Sequence, residues 1–217
     1  MNNAEILSHV DHTLLQATAS WSEIQALCDE AVANQTASVC VPPSYIKRIA
    51  DTYGDKLNIC TVIGFPLSYQ TTAVKVLETK EAIADGAAEV DMVINLGDVK
   101  NGDFDLITAE IKALKQAVGQ NILKVIIETC YLTETEKIRL CQCVTEAGAD
   151  YIKTSTGFGT AGAKIEDIRL FKQHIGAAVK MKAAGGVRTR EDLEMFLAEG
   201  CERIGTSSAL KILQTQA

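Results

Sequence analysis

The chain has 217 residues, of which 47% are hydrophobic, and this is enough to bury a large core within one domain. Its formal net charge of −7 argues against a broad surface for nucleic acid or another polyanion, although a local site can still bind one phosphate. No apolar run approaches the roughly 18 residues that span a bilayer, and the N-terminus has no basic segment followed by a long apolar one. We therefore expect a cytoplasmic protein with no membrane or nucleic-acid partner.

Short apolar segments alternate with amphipathic segments along the chain, without a linker or charge block that would mark a domain boundary. The pattern predicts eight strands, at residues 9–13, 37–41, 58–64, 89–95, 123–128, 150–155, 179–184 and 202–206. It predicts a helix after each strand, at residues 21–34, 44–53, 72–85, 103–118, 134–147, 164–174, 190–199 and 207–213. A strand followed by a helix eight times is typical of a (β/α)8 TIM barrel, here one α/β domain over residues 1–217.

Three of the predicted helices end in a similar short phrase that contains Gly86, Gly148 or Gly200. Glycine suits the left-handed position that ends many helices, and in each case the next strand follows at once. Such tight helix-to-strand turns lie on the face of a barrel opposite the active-site loops. The functional side chains are therefore expected at the C-terminal ends of the strands.

The sixth predicted strand carries a lysine in a β-branched segment. Alternation along the strand puts Tyr151, Lys153 and Ser155 on one face. An amine held away from bulk water loses its charge more easily, and the neutral amine is the nucleophile that attacks carbonyl groups. The ordinary alternative is a lysine that extends from the strand end to solvent, and the neighbouring strands decide between the two.

Two further charged residues lie on predicted strands and favour the interpretation of Lys153 as a nucleophile. Parity puts Asp91 and Asn95 on one face of the fourth strand, where a carboxylate needs a cationic partner. Lys182 on the seventh strand supplies one, and it adjoins Lys153 if neighbouring strands follow chain order. Two ammonium groups in one pocket repel each other, which lowers the pKa of at least one of them. An amine nucleophile, a second amine and a carboxylate for proton transfer indicate Schiff-base chemistry.

The fifth predicted strand leaves a question open, because Lys124 and Glu128 share one face of it. They form either a structural ion pair or an extension of the polar lining. Cys40 and Cys130, both at strand ends, are interpreted as packed thiols, since no histidine accompanies them. The histidines show no metal-ligand spacing, so we predict neither a metal site nor a cofactor.

Glycine-rich turns follow the last two predicted strands. One contains Gly185 and Gly186, and the other runs from Gly205 to Ser207 and Ser208. Loops after the seventh and eighth strands of such barrels commonly hold a phosphate on free backbone N–H groups. The two turns together predict a phosphate site, whereas a single Gly-Gly pair could only end a strand.

Seven segments, taken in order, resemble the deoxyribose-phosphate aldolase family over essentially the whole chain. They are residues 11–15, 62–66, 89–95, 124–129, 153–158, 182–188 and 203–208. The resemblance implies a metal-independent class I aldolase that reversibly cleaves 2-deoxy-D-ribose 5-phosphate to D-glyceraldehyde 3-phosphate and acetaldehyde. It also implies residue roles. Lys153 forms the Schiff base, Asp91 and Lys182 transfer protons, and Asp11 and Thr156 lie near the substrate. The residues that bind phosphate are Gly185, Gly186, Gly205, Ser207 and Ser208.

Some positions depart from the family pattern. Gln16 stands where lysine is frequent, Pro42 where asparagine is common, and Ser68 where glycine usually follows the Gly-Phe-Pro-Leu phrase. These changes leave the catalytic groups in place and bear on loop shape and substrate preference.

The alternative functions to an aldolase are a phosphosugar isomerase or cyclase, or a barrel that only binds phosphosugars. A homodimer would be unsurprising for an enzyme of this size.

Overall fold

The computed structural model describes residues 1–214, in which eight parallel strands close into a barrel in chain order. The strands are β1 (Val10–Thr13), β2 (Ser38–Val41), β3 (Ile59–Ile63), β4 (Glu89–Val93), β5 (Ile122–Ile126), β6 (Tyr151–Lys153), β7 (Lys180–Ala184) and β8 (Arg203–Thr206). β1 pairs with β2 on one side and with β8 on the other, which closes the barrel. The predicted (β/α)8 barrel is confirmed.

The helices surround the barrel and follow the predicted positions, with small shifts at their ends. They are α1 (Asn3–Leu7), α2 (Trp21–Asn34), α3 (Ile46–Tyr53), α4 (Thr72–Ala84), α5 (Leu96–Asn101), α6 (Phe104–Val118), α7 (Glu134–Glu146), α8 (Ile165–His174), α9 (Arg190–Ala198) and α10 (Ala209–Gln214). Short 3-10 turns lie at Pro43–Tyr45, Gly54–Lys56 and Thr129–Tyr131. None of the described helices is long and apolar enough to cross a membrane.

Two helices, α1 and α5, were not predicted, and an asparagine begins each of them. The Asn2 side chain accepts a hydrogen bond from the Glu5 N–H at 2.8 Å. The Asn95 side chain accepts one from the Gly97 N–H at 2.9 Å. Because such caps satisfy free N–H groups, they permit helices too short to be recognised from periodicity. Asn95, predicted to share the face of Asp91, therefore lies beyond β4 and caps α5.

The strands are short and buried because the barrel interior and the helices cover both of their faces. All five residues of β3 and of β4 are buried. Val90 and Met92 belong to the apolar cluster that also contains buried residues of the helices. Asp91, between them, points to the opposite side, into the barrel. The expected helix ends also occur, because Gly86, Gly148 and Gly200 have φ values of 115°, 73° and 107°.

Helix α6 offers a matched test of this packing. Ile111 is fully buried in the apolar cluster, whereas Leu106 on the same helix is 59% exposed. Ile111→Ala should lower the free energy of unfolding by about 2–5 kcal/mol through lost burial and a residual cavity. Leu106→Ala should change it by less than about 0.5 kcal/mol. Chemical denaturation of both variants checks the difference, and equal effects would contradict the assigned packing.

Candidate active site

The centre of the candidate site is Asp91, which lies inside the barrel and is fully buried. Its Oδ2 atom accepts hydrogen bonds from Lys153 Nζ and Lys182 Nζ, both at 2.7 Å. Its Oδ1 atom accepts one from Lys124 Nζ at 2.9 Å. Four consecutive strands, β4 to β7, supply these four side chains. The structure therefore brings together the three residues predicted for catalysis and adds Lys124 to them.

The strand register explains why these side chains meet. Lys153 and Lys182 are direct partners in the β6–β7 pair. Asp91 and Lys124 are direct partners in the β4–β5 pair. Partners in register point to the same side of a sheet, so all four side chains enter the barrel interior. The expectation that Lys153 and Lys182 lie side by side is confirmed.

A second carboxylate, that of Asp11 on β1, lies beside the first. It accepts hydrogen bonds from Lys182 Nζ, from Ser38 Oγ at 2.8 Å and from Arg203 Nη1 at 2.6 Å. Lys124 Nζ is 3.6 Å from its Oδ2 atom. Asp11 was expected near the substrate. In the structure it is fully buried among these cations, which makes it a direct partner of Lys182.

Two further charged residues, Glu89 and Arg203, complete this ion cluster, and sequence reasoning missed both. Glu89 Oε2 lies 2.5 Å from Lys124 Nζ. Arg203 donates to both Glu89 oxygens, at 2.9 and 2.8 Å. The signal for Glu89 was its parity with Asp91 on β4. The open question about Lys124 is also answered, since Lys124 pairs with Asp91 and Glu89, while the Glu128 carboxylate contacts Thr156.

The ion cluster shifts the pKa values of its members. Burial alone would raise the pKa of the Asp91 carboxyl, but Lys124, Lys153 and Lys182 outweigh burial and hold that pKa well below its usual range. Burial alone would lower the pKa of Lys182, but the Asp11 and Asp91 carboxylates raise it above its usual range. We expected repulsion between the lysines to lower the pKa of at least one of them. At Lys182 the two carboxylates outweigh this repulsion. Lys182 is therefore held as a charged ammonium group.

Two buried thiols adjoin the ion cluster. Cys60 Sγ lies 3.2 Å from both Asp91 Oδ1 and Lys124 Nζ, and burial raises the pKa of the Cys60 thiol well above its usual range. The potential ligand atoms of Cys40, Cys60 and Asp91 lie within 4.8 Å of one another. However, the Asp91 oxygens already accept from three lysine side chains, and a dication there would face strong repulsion. This donor set therefore does not suit a divalent metal.

An open cavity of about 430 Å³ lies at the C-terminal ends of β1, β6, β7 and β8. Its lining includes most of the predicted substrate residues, namely Lys153, Thr156, Gly185, Gly186, Gly205, Ser207 and Ser208. Lys153 also contacts Asp91, so it connects the cavity to the ion cluster. Arg188, in the loop after β7, adds a second cationic side chain to the lining. We did not single it out from the sequence, although it directly follows the glycine pair and Val187.

The three departures from the family pattern occupy different places. Gln16 lines the cavity, so it can influence substrate contacts. Pro42 precedes a 3-10 turn after β2 and does not line the cavity. Ser68 has a φ of 59°, in the left-handed region that glycine adopts most easily, which fits its place in the family pattern. Its buried hydroxyl donates to the Val93 carbonyl and so attaches the β3–α4 loop to the end of β4.

Comparison with known proteins assigns the family. A model of the DeoC/LacD family of aldolases matches residues 6–215. The chain belongs to the DeoC/LacD aldolase family. It is 66% identical over 214 residues to a deoxyribose-phosphate aldolase of Clostridium botulinum, covering 99% of this chain and 97% of that protein. It is 59% identical to one of Clostridioides difficile, covering 97% and 96%.

Solved structures of this aldolase family agree with the fold. A tetrameric deoxyribose-phosphate aldolase from Aeropyrum pernix superposes with a TM-score of 0.92 at 27% identity. The comparison covers 99% of this chain and 92% of that one. The family resemblance inferred from the seven segments is confirmed, and so is the classification of the chain as an aldolase, a carbon–carbon lyase.

The Asp11 carboxyl provides a pH test of the ion cluster. Lys182, Lys124 and Arg203 overcome the effect of burial and hold the pKa of Asp11 below its usual range. Asp11→Asn should therefore lower the free energy of unfolding near pH 7 by about 3–5 kcal/mol, because it leaves buried cations unpaired.

The difference in free energy of unfolding between wild type and Asp11→Asn should become smaller as the pH falls. A depressed folded-state pKa stabilises the protein above the unfolded value, about 3.9, and this stabilisation is lost as the pH falls below that value toward the folded one. Urea denaturation from pH 7 to pH 3 measures the difference. An unchanged difference at acid pH would contradict the ion pairing of Asp11.

Proposed function

We propose that this aldolase reversibly cleaves 2-deoxy-D-ribose 5-phosphate to D-glyceraldehyde 3-phosphate and acetaldehyde through a Schiff base on Lys153. One observation carries the proposal. Lys153 lines the open cavity, and its amine lies 2.7 Å from a fully buried carboxylate, Asp91, that also binds Lys182. A nucleophile, a proton acceptor and a charged proton donor therefore adjoin one another at the base of a cavity that fits a sugar phosphate. The names of the curated relatives agree with this substrate.

The first step requires a neutral amine. Among the described residues, the ion cluster contains four cationic side chains, namely Lys124, Lys153, Lys182 and Arg203, against the three carboxylates of Asp11, Glu89 and Asp91. Lys153 is the lysine of this cluster that lines the cavity, which places its amine within reach of a substrate carbonyl. Its amine attacks C1 of the open-chain sugar phosphate, and loss of water gives a protonated imine.

The imine then accepts the electron pair of the C2–C3 bond. The proton of the C3 hydroxyl passes to Asp91, through a water or by relay with Lys182, and the bond breaks. Glyceraldehyde 3-phosphate leaves, and an enamine remains on Lys153. Protonation of the enamine carbon, with Lys182 as the charged donor, and hydrolysis of the imine release acetaldehyde and restore the amine.

The phosphate group is assigned to the loops after β7 and β8. Gly185, Gly186, Gly205, Ser207 and Ser208 line this part of the cavity. Backbone N–H groups and hydroxyls donate to phosphate oxygens, and Arg188 adds a positive charge. Binding energy from this remote group positions C1 at Lys153, so it contributes to the rate as well as to affinity.

The competing functions account for less of the site. A phosphosugar isomerase or cyclase would use the same glycine loops but gives no reason for lysines around one buried carboxylate. A barrel that only binds phosphosugars gives no reason for an amine between the cavity and Asp91.

We further propose that the enzyme is cytoplasmic and forms a homodimer. A sedimentation experiment tests the homodimer, because a monomer or a tetramer would contradict it.

The proposed activity is tested by incubating the protein with 2-deoxyribose 5-phosphate and measuring acetaldehyde and glyceraldehyde 3-phosphate. Lys153→Arg should lower kcat/KM by at least about 10³-fold, because the guanidinium group does not form the imine. Lys180→Arg is a matched control on the neighbouring strand, since Lys180 is exposed and pairs with Glu202. Absence of both products from the wild type, or equal activity in Lys153→Arg, would reject the proposal.

The assigned phosphate site predicts a cost for the unphosphorylated sugar. Two or more charge-assisted hydrogen bonds, at about 1.5–3 kcal/mol each, correspond to at least about a 100-fold loss of kcat/KM for 2-deoxyribose. Part of that loss should fall on kcat, because the phosphate positions the reacting carbon. Steady-state kinetics on both sugars measure it, and equal kcat/KM values would refute a phosphate site in these loops.

A further inference from the structure

Glu128 follows β5, and the cleavage chemistry does not use it. The residue is buried, with 3% of its surface exposed, and it does not line the cavity. Its carboxylate accepts two hydrogen bonds from one residue, Thr156. The Thr156 N–H donates to Oε1 at 3.1 Å, and the Thr156 hydroxyl donates to Oε2. Thr156 is a cavity residue, so Glu128 acts on the cavity through it.

These contacts fix the direction of the Thr156 hydroxyl. A hydroxyl has one proton to donate and two lone pairs that accept. The Thr156 hydroxyl donates its proton in the hydrogen bond to the Glu128 carboxylate. The Phe158 N–H donates to the same hydroxyl oxygen at 3.0 Å and takes one lone pair. One lone pair remains, so Thr156 offers the cavity an acceptor and no donor.

We propose that Glu128 is a positioning residue that makes Thr156 an acceptor for a substrate hydroxyl. The inference rests on the proposed function, in which the aldehyde carbon of glyceraldehyde 3-phosphate meets the enamine carbon attached to Lys153 and its phosphate meets the loops after β7 and β8. The carbon between them carries a hydroxyl, which is the one polar group left to recognise. A group with lone pairs alone, such as a phosphate oxygen, finds no donor at Thr156. The expected role of Thr156 in binding the substrate or its phosphate is thereby narrowed to accepting a hydrogen bond from the substrate hydroxyl.

The loop that carries Thr156 is held in place on both sides. A Cβ atom on Gly159 would lie 2.7 Å from Cys130 Sγ and 3.2 Å from the Glu128 carboxyl carbon, so this part of the loop packs directly on Glu128. Further along, the Ala163 N–H donates to the Gly185 carbonyl at 3.0 Å. Because the loop is fixed in this way, the hydroxyl cannot easily turn while the carboxylate is present.

The chemistry also explains why glutamate suits this position and glutamine does not. Thr156 presents two donors, and a carboxylate has two oxygen acceptors for them. A glutamine side chain has nearly the same shape but only one acceptor atom, and its NH₂ group donates. Glu128→Gln therefore keeps the packing and takes away the acceptor for the hydroxyl proton, which then turns toward the cavity.

The test uses condensation of acetaldehyde with two acceptor aldehydes, glyceraldehyde 3-phosphate and 3-phosphooxypropanal, which lacks the hydroxyl. The ratio of the two kcat/KM values measures hydroxyl recognition and cancels general damage to the site. Thr156→Val should lower this ratio about tenfold, and Thr156→Ser should preserve it. Glu128→Gln should lower it several-fold, mainly through the hydroxylated aldehyde, and should add nothing in a Thr156→Val background.

The matched control is Glu146→Gln, because Glu146 lies on α7 with a side chain that is 68% exposed. It should leave both kcat/KM values and their ratio unchanged. Equal losses on both aldehydes in Glu128→Gln would overturn the proposal, since a merely structural role predicts that result. A wild type that forms no product with either aldehyde would reject the proposed function itself. If the wild type is active but Glu128→Gln leaves the ratio of the two kcat/KM values unchanged, only the role of Glu128 is rejected.

Discussion

The rest of the site depends on a carboxylate that is buried inside a barrel. Asp91 is inaccessible to solvent, and an ionised carboxylate there is stable only if cations and hydrogen bonds replace water. Lys124, Lys153 and Lys182 supply them from the next three strands. Removing one partner would leave the opposite charge unpaired. The interior of this barrel is therefore a network that fixes each lysine, in contrast to an apolar core that tolerates repacking.

The lysines around Asp91 differ in what else they contact, and this gives them different chemistry. Lys124 also pairs with Glu89, and Lys182 also pairs with Asp11. These carboxylates hold both amines as charged groups below the cavity. Lys153 pairs with Asp91 and lines the cavity, so it is the lysine of the three that combines the shared carboxylate with access to a substrate. In the proposed mechanism, the same network thus separates the nucleophile, Lys153, from the proton donor, Lys182, although both residues are lysines.

Much of the fold could be predicted from the sequence, because apolar periodicity and glycine helix ends are local signals. The side-by-side position of Lys153 and Lys182 also followed from strand order and parity. Asn95 shows where this reasoning fails, because parity does not show where β4 ends and an asparagine cap begins α5. Local signals also did not predict the register that brings Arg203 of β8 to Glu89 of β4 across the barrel interior.

The loops were harder to predict than the strands, because their shape depends on single contacts between distant residues. Glu128 appeared to be a strand residue facing Lys124, but its backbone takes a φ of 52° just beyond β5 and its carboxylate meets Thr156 instead. Ser68 is similar, since its hydroxyl contact with Val93 lies 25 residues away in the chain. Such contacts carry no periodic signal.

The central claim is that, of the three lysines on Asp91, Lys153 is the nucleophile. The most direct test is to incubate the protein with acetaldehyde, reduce any imine with borohydride, and locate the modification by peptide mass mapping. We expect a reduced two-carbon adduct on Lys153 and none on Lys124 or Lys182. An adduct on Lys182 in place of Lys153, or no adduct on a folded protein, would contradict the assignment of Lys153 as the nucleophile.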